Sequence, residues 1–215
     1  MTQGQRNGRF NISKAFGALC AAMAAALLVP TSAGAQFQSA GYKFLEAVKE
    51  KDGDAVTDAL NEPGSTIINA RDITTGESAL HIVVARRDAT WIRFLAGKGA
   101  NPNVRDNKGV SPLVLASRIG FVDGVEALIA AGAEVDESNS TGETPLIAAV
   151  HTQRTDLMRV LLKAGADADR ADNSGRTARD YALLLGKRSR AILEIEKSDE
   201  ERKGTKEVQT YGPTP

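Results

Sequence analysis

Cysteine is almost missing from this chain. The one copy, Cys20, lies inside an apolar stretch near the start. No intrachain disulfide can form, and sites built on paired thiolates are excluded. Histidine is nearly as scarce, with only His81 and His151. An excess of one charge sign is also absent: 27 basic residues stand against 27 acidic ones. The chain as a whole therefore has no general electrostatic pull toward nucleic acid or anionic lipid. There is no phosphate-binding glycine loop, and Asp52, Asp54 and Asp58 lack the full spacing of a calcium loop. The apolar run Ala15–Val29 is shorter than the roughly 20 residues a membrane-spanning helix needs.

That run has a second reading. Arg6, Arg9 and Lys14 precede it, and Ala33-Gly34-Ala35 follows with small residues at the cleavage spacing. This is the pattern of a secretory signal peptide, with cleavage expected after Ala35. Arg6 and Arg9 are not adjacent, which argues for the general export route. Leu19 before Cys20 is too large for a lipidation site. Gln36 to Ala40 is then a short lead-in. The mature chain has no cysteine and is mildly acidic. A thiol-free exported scaffold fits a bacterial periplasm. A retained leader would instead leave a membrane-anchored adaptor.

What the chain has in abundance is periodicity. Ser78-Ala79-Leu80, Ser111-Pro112-Leu113, Thr144-Pro145-Leu146 and Thr177-Ala178 recur at a constant step of 33 residues. Gly76, Gly109, Gly142 and Gly175 keep the same step, as do Gly99, Gly132 and Gly165. A fixed period of this size is the mark of a solenoid. Within each period a Ser or Thr can cap a first helix, and proline at its first position loses no helical hydrogen bond. A second apolar-periodic helix follows and stops at glycine. The units are expected at about 41–71, 72–105, 106–138, 139–171 and 172–197. The first unit closes with a longer loop, so its step is nearer 36. Asp72 to Gly76 is one residue longer than Asp106 to Gly109 and should protrude. The last unit carries more charge, as a terminal repeat without an outer neighbour requires. Residues 198–215 read as a disordered tail.

These motifs resemble ankyrin repeats. Thr144-Pro145-Leu146, Ala148-Ala149, Gly165-Ala166-Asp167 and Asp172-Asn173-Ser174-Gly175 follow that pattern, as do Gly99-Ala100-Asn101-Pro102-Asn103 and Asp106-Asn107-Lys108-Gly109. The resemblance implies an all-α solenoid of about five helix–turn–helix units with finger-like turns. Only His81 keeps the family's histidine; Val114, Ile147 and Asp180 replace it elsewhere, so its hydrogen bonds should be missing there.

The resemblance also implies a concave protein-binding face, and since the residues offer no site for them, catalysis, a cofactor and a metal are not expected. Carried residue by residue, the partner-binding positions are Thr74, Thr75, Glu77, Asn107, Lys108, Val110, Thr141, Glu143 and Arg176 on the fingers. On the palm they are Lys49, Glu50, Arg86, Arg118, Ile119, His151 and Thr152. Val110 and Ile119 stand out as apolar residues at exposed positions, with Arg86 and Arg118 beside them, the composition of a binding hot spot. Stacked helices sit about 8–10 Å apart, which puts His81 and His151 too far apart to share a metal and Glu77 and Glu143 too far apart for an acid/base pair. The sequence reading is thus a monomeric, non-enzymatic binder of an unidentified protein partner, without nucleic acid and without stable membrane insertion after cleavage. The competing reading is an enzyme working through concave-face carboxylates. Intact-mass measurement of the exported protein is expected to give a chain starting at Gln36; a chain starting at Met1 would refute cleavage.

Overall fold

Five helix pairs follow one another in a computed structural model that describes residues 39–210 and the side chains of 39–204. The expected leader and its cleavage site lie outside the described residues. The pairs are α1 (Ala40–Glu50) with α2 (Gly53–Asn61), α3 (Ala79–Ala85) with α4 (Ala89–Gly97), and α5 (Pro112–Arg118) with α6 (Val122–Ala130). They continue with α7 (Pro145–His151) and α8 (Thr155–Lys163), then α9 (Ala178–Leu184) and α10 (Arg190–Thr210). Among the described residues the only bridges of β type are isolated ones, Arg71 to Ser78 and Ala171 to Thr177. First helices pack in the order α1, α3, α5, α7, α9, and second helices in the order α4, α6, α8, α10. The longer first loop holds a 3-10 turn, Ile67–Asn69, which packs against both α1 and α2.

The expected caps close these helices. The hydroxyls of Ser111 and Thr144 accept from the amides of Val114 (3.4 Å) and Ile147 (3.2 Å). The first helices have only seven residues each from α3 onward. Helices this short are marginal alone, so packing holds them. One register, Leu80, Leu113 and Leu146, is 0–1% exposed. On the second helices Ile92, Val125 and Met158 form another register at 0%. Burying each such side chain contributes about 1.5–3 kcal/mol.

The fingers are built from one device repeated. The side chains of Asp72, Asp106, Asn139 and Asp172 accept amide hydrogens two to four residues ahead, at 2.8–3.1 Å. Adjacent fingers are then tied through the backbone. Asn107 N–H donates to the Thr75 carbonyl (2.9 Å) and Asn173 N–H to the Thr141 carbonyl (3.1 Å). The extra residue in the second unit changes the turn: Gly76 N–H reaches Asp72 four residues back, where Gly109 and Gly175 reach three. Ile73, inside that turn, is 97% exposed.

This tie explains the glycines. Gly142 has φ +82°, and a β-carbon on it would stand 2.5 Å from the Asn173 nitrogen. Gly175 has a similar φ of +80°, but nothing lies within 4 Å, because no repeat follows it.

His81 joins the second and third units from inside. It is 1% exposed. The Ser78 N–H donates to Nδ1 (3.1 Å), so Nε2 carries the proton and donates to the Val110 carbonyl (2.9 Å). Burial pushes its pKa below the ordinary histidine value. At the matching position Asp180 makes part of the same bond set, accepting from the Thr177 amide and hydroxyl, both at 2.9 Å. The expectation that these bonds are missing outside the second unit is therefore corrected for the last one.

The expectation of a disordered tail from residue 198 also changes. Helix α10 runs on to Thr210. Arg179 pairs with Asp199 at 3.0 Å, and Arg202 Nη2 donates to the carbonyls of Leu162 (3.1 Å) and Ala166 (2.8 Å) at the end of α8. Asp199 and Arg202, read from the sequence as part of a solvated tail, instead tie the helix to the stack, and residues 211–215 lie outside the described residues.

Two outcomes follow for folding. In urea unfolding, Gly175→Ala should cost about 1–2 kcal/mol for its left-handed backbone alone. Gly142→Ala should cost distinctly more, since the neighbouring finger must also move; equal losses would refute the account. For His81 the folded pKa is lowered, so the unfolded chain binds the extra proton. Its contribution is fully present above the unfolded pKa of about 6.5 and is lost as pH falls below it. Melting temperature should therefore fall over that acidic range, and His81→Val, the residue found at Val114, should flatten that part of the profile.

Candidate functional site

The positions expected on the binding side carry residues that do not repeat. Glu143 follows the finger of the fourth unit, and its carboxylate takes hydrogen bonds from two directions. Arg118, at the end of α5, donates from Nε (2.8 Å) and Nη2 to Oε2. The Asn139 amide reaches the same oxygen at 3.1 Å. His151, at the end of α7, places Nδ1 3.3 Å from Oε1. The His151 ring meets Tyr181 of α9 edge-on, with centroids 4.5 Å apart. Tyr181 donates its hydroxyl to Asp172 (2.7 Å), and Arg176 lies over its ring at 5.9 Å. The hydroxyls of Ser174 and Tyr181 hold the Asp172 carboxyl far below the usual carboxylate range.

One connected surface thus crosses three units: Arg118, then Glu143 and His151, then Tyr181, Asp172 and Arg176. The short steps of the stack bring these positions together although the sequence separates them by up to 63 residues. Arg118 and His151 remain 40% and 45% exposed while bonded. They can therefore meet an incoming surface without first being ordered, which lowers the entropic cost of binding.

The other expected positions divide. Thr74, Thr75, Lys108, Thr141, Thr152 and Glu50 are exposed. Lys49 is exposed and paired with Glu46 at 2.7 Å, which raises its pKa. Glu77 is half-buried, with the Thr75 hydroxyl donating to it at 3.3 Å. Asn107 is exposed at its edge, but its side-chain amide donates to the Thr74 carbonyl (2.9 Å), a tie between fingers.

Three expectations are corrected. Val110 is only 5% exposed, because its carbonyl is drawn onto His81 and its side chain turns inward. Ile119 is half-buried and packs on the core. Arg86 lies over Trp91 at 4.8 Å, and its guanidinium donates to the Val48 carbonyl, so it joins the first two units. The apolar spot ringed by arginine is not formed. The sequence reading missed Tyr181, an aromatic at the register of Ile82, Leu115 and Ala148. It also missed Leu184, 71% exposed at the register of Ala85, Arg118 and His151. In both cases the signal was a departure from the residues 33 positions earlier.

Among the described residues no three histidine, cysteine or carboxylate side chains gather as a metal would require, and no helix is long and apolar enough to cross a membrane. Tyr181→Phe keeps the ring against His151 and removes one hydrogen bond, so it should cost about 1 kcal/mol in urea unfolding. Tyr181→Ala should cost more, since the ring also packs against the core.

Comparison with known proteins agrees with this architecture. The family model for ankyrin repeats (3 copies) matches residues 44–139 and 120–195. The chain is 35% identical over 63 residues to the nuclear factor NF-kappa-B p110 subunit of Drosophila melanogaster, covering 29% of this chain and 6% of that protein. It is 32% identical over 80 residues to oxysterol-binding protein homolog 1 of Saccharomyces cerevisiae, covering 36% of this chain and 7% of that protein. The chain thus spans only a small part of the length of these relatives.

Proposed function

Because the chain belongs to the ankyrin-repeat family, whose repeats are protein-interaction modules, we propose that it binds a protein partner through its concave face and does no chemistry of its own. The observation that carries this reading is the run from Arg118 to Arg176. Non-repeating side chains from three units are joined there into one half-exposed polar surface. Charged and aromatic groups held in place suit recognition and orientation of a partner more than apolar burial.

We place this activity in the periplasm, on the leader-like first 35 residues and the thiol-free chain that would follow cleavage. The protein then serves as scaffold, inhibitor or accessory factor for an exported or envelope protein. The carboxylate best placed for catalysis, Glu143, has both oxygens engaged by neighbours. That occupancy supports a positioning role over proton transfer.

Capture from a periplasmic extract tests this. Immobilised wild type should retain specific proteins whose recovery falls by at least about tenfold, the scale of one hot-spot contact, when Arg118→Glu is combined with His151→Ala. The double variant should keep the wild-type far-ultraviolet spectrum. Equal recovery by the folded double variant would overturn the concave-face reading.

A further inference from the structure

The last unit leaves an end surface that the fold does not explain. Leu183, Leu184 and Leu185 are 43%, 71% and 44% exposed. The residues matching Leu183 in earlier units, Val84, Ser117 and Val150, are 0–1% exposed. A terminal repeat is expected to present a polar outer face. Gly186, at φ +118°, then turns the chain into Lys187, Arg188 and Arg190. All three cations are exposed, and none has an ion pair or side-chain hydrogen bond among the described residues.

We propose that this leucine-and-arginine tip docks on an anionic lipid surface. Consecutive residues on a helix point about 100° apart. The three leucines therefore fan around the last turn of α9 and its cap and do not form a stripe. One peptide helix lying in a groove cannot cover such a fan, whereas a fluid interface closes around it. Cations placed beside apolar side chains are the arrangement that adds electrostatic attraction to shallow insertion. A second copy is a poor cover. Two such tips facing each other oppose like charges. The first helix pair carries exposed carboxylates that would attract the cations, but Tyr42 is the one large apolar residue exposed on it among the described residues, too little to cover three leucines.

The test places a reporter at the tip of the full-length chain. Leu184→Trp fluorescence should shift to the blue with vesicles of phosphatidylcholine mixed with phosphatidylglycerol, and much less with phosphatidylcholine alone. Ile73→Trp, at an exposed fingertip, should not shift. Adding Lys187→Glu, Arg188→Glu and Arg190→Glu to the Leu184→Trp chain should weaken vesicle binding roughly 100-fold, and salt should weaken binding by the Leu184→Trp chain that keeps its cations. No shift from the Leu184→Trp reporter, or a shift indifferent to lipid charge, would overturn the proposal. A shift with an acidic amphipathic peptide but none with vesicles would overturn it in favour of a protein partner.

Discussion

Everything in this molecule depends on how one repeat closes against the next. Before α10, each unit alone offers helices of no more than eleven residues, too short to persist, and a turn with open amides. Its neighbour supplies the missing partners at three levels. Core leucines interlock, His81 reaches the Val110 carbonyl, and the amides of Asn107 and Asn173 reach the carbonyls of Thr75 and Thr141. The glycine before each first helix serves that closure twice, through its backbone angle and through the absence of a β-carbon where the next finger passes. Gly175 needs only the first, because it has no successor.

The two ends solve the problem of a missing neighbour differently. At the start, polar residues such as Lys43 and Glu46 stand where inner repeats carry apolar ones. At the finish, α10 overruns its repeat and Arg202 donates to the carbonyls of Leu162 and Ala166 where α8 ends and the next turn begins. Yet Leu183, Leu184 and Leu185 stay in water beside cations that have no ion pair among the described residues. Stability does not call for that arrangement, which is why it carries a functional argument.

The proposed recognition surface has a different origin from the scaffold. Packing dictates the repeating residues and leaves the palm positions free to vary. Arg118, Glu143, His151, Tyr181 and Arg176 come from three units and share no sequence pattern. They act together because a step of one helix width brings every thirty-third residue side by side.

The repeat period, the caps and the positions of the turns were legible in the sequence, since each reflects a local rule: a hydroxyl before a helix, a proline at its first turn, a glycine after it. Several candidate palm positions were legible too, because periodicity tells which residues escape the core. The direction of individual side chains was not. Val110 looked free and is turned inward when its carbonyl binds His81. Arg86 looked free and bridges to Val48. Residues 198–204 looked too charged to order, and Arg179 and Arg202 hold them to the stack. These outcomes rest on contacts between residues 20 to 40 positions apart, as with His81 and Val110 or Arg202 and Leu162. Local propensity determined that the chain would build a solenoid, and only the stacked structure decided which of its polar groups were used to hold it and which stayed exposed.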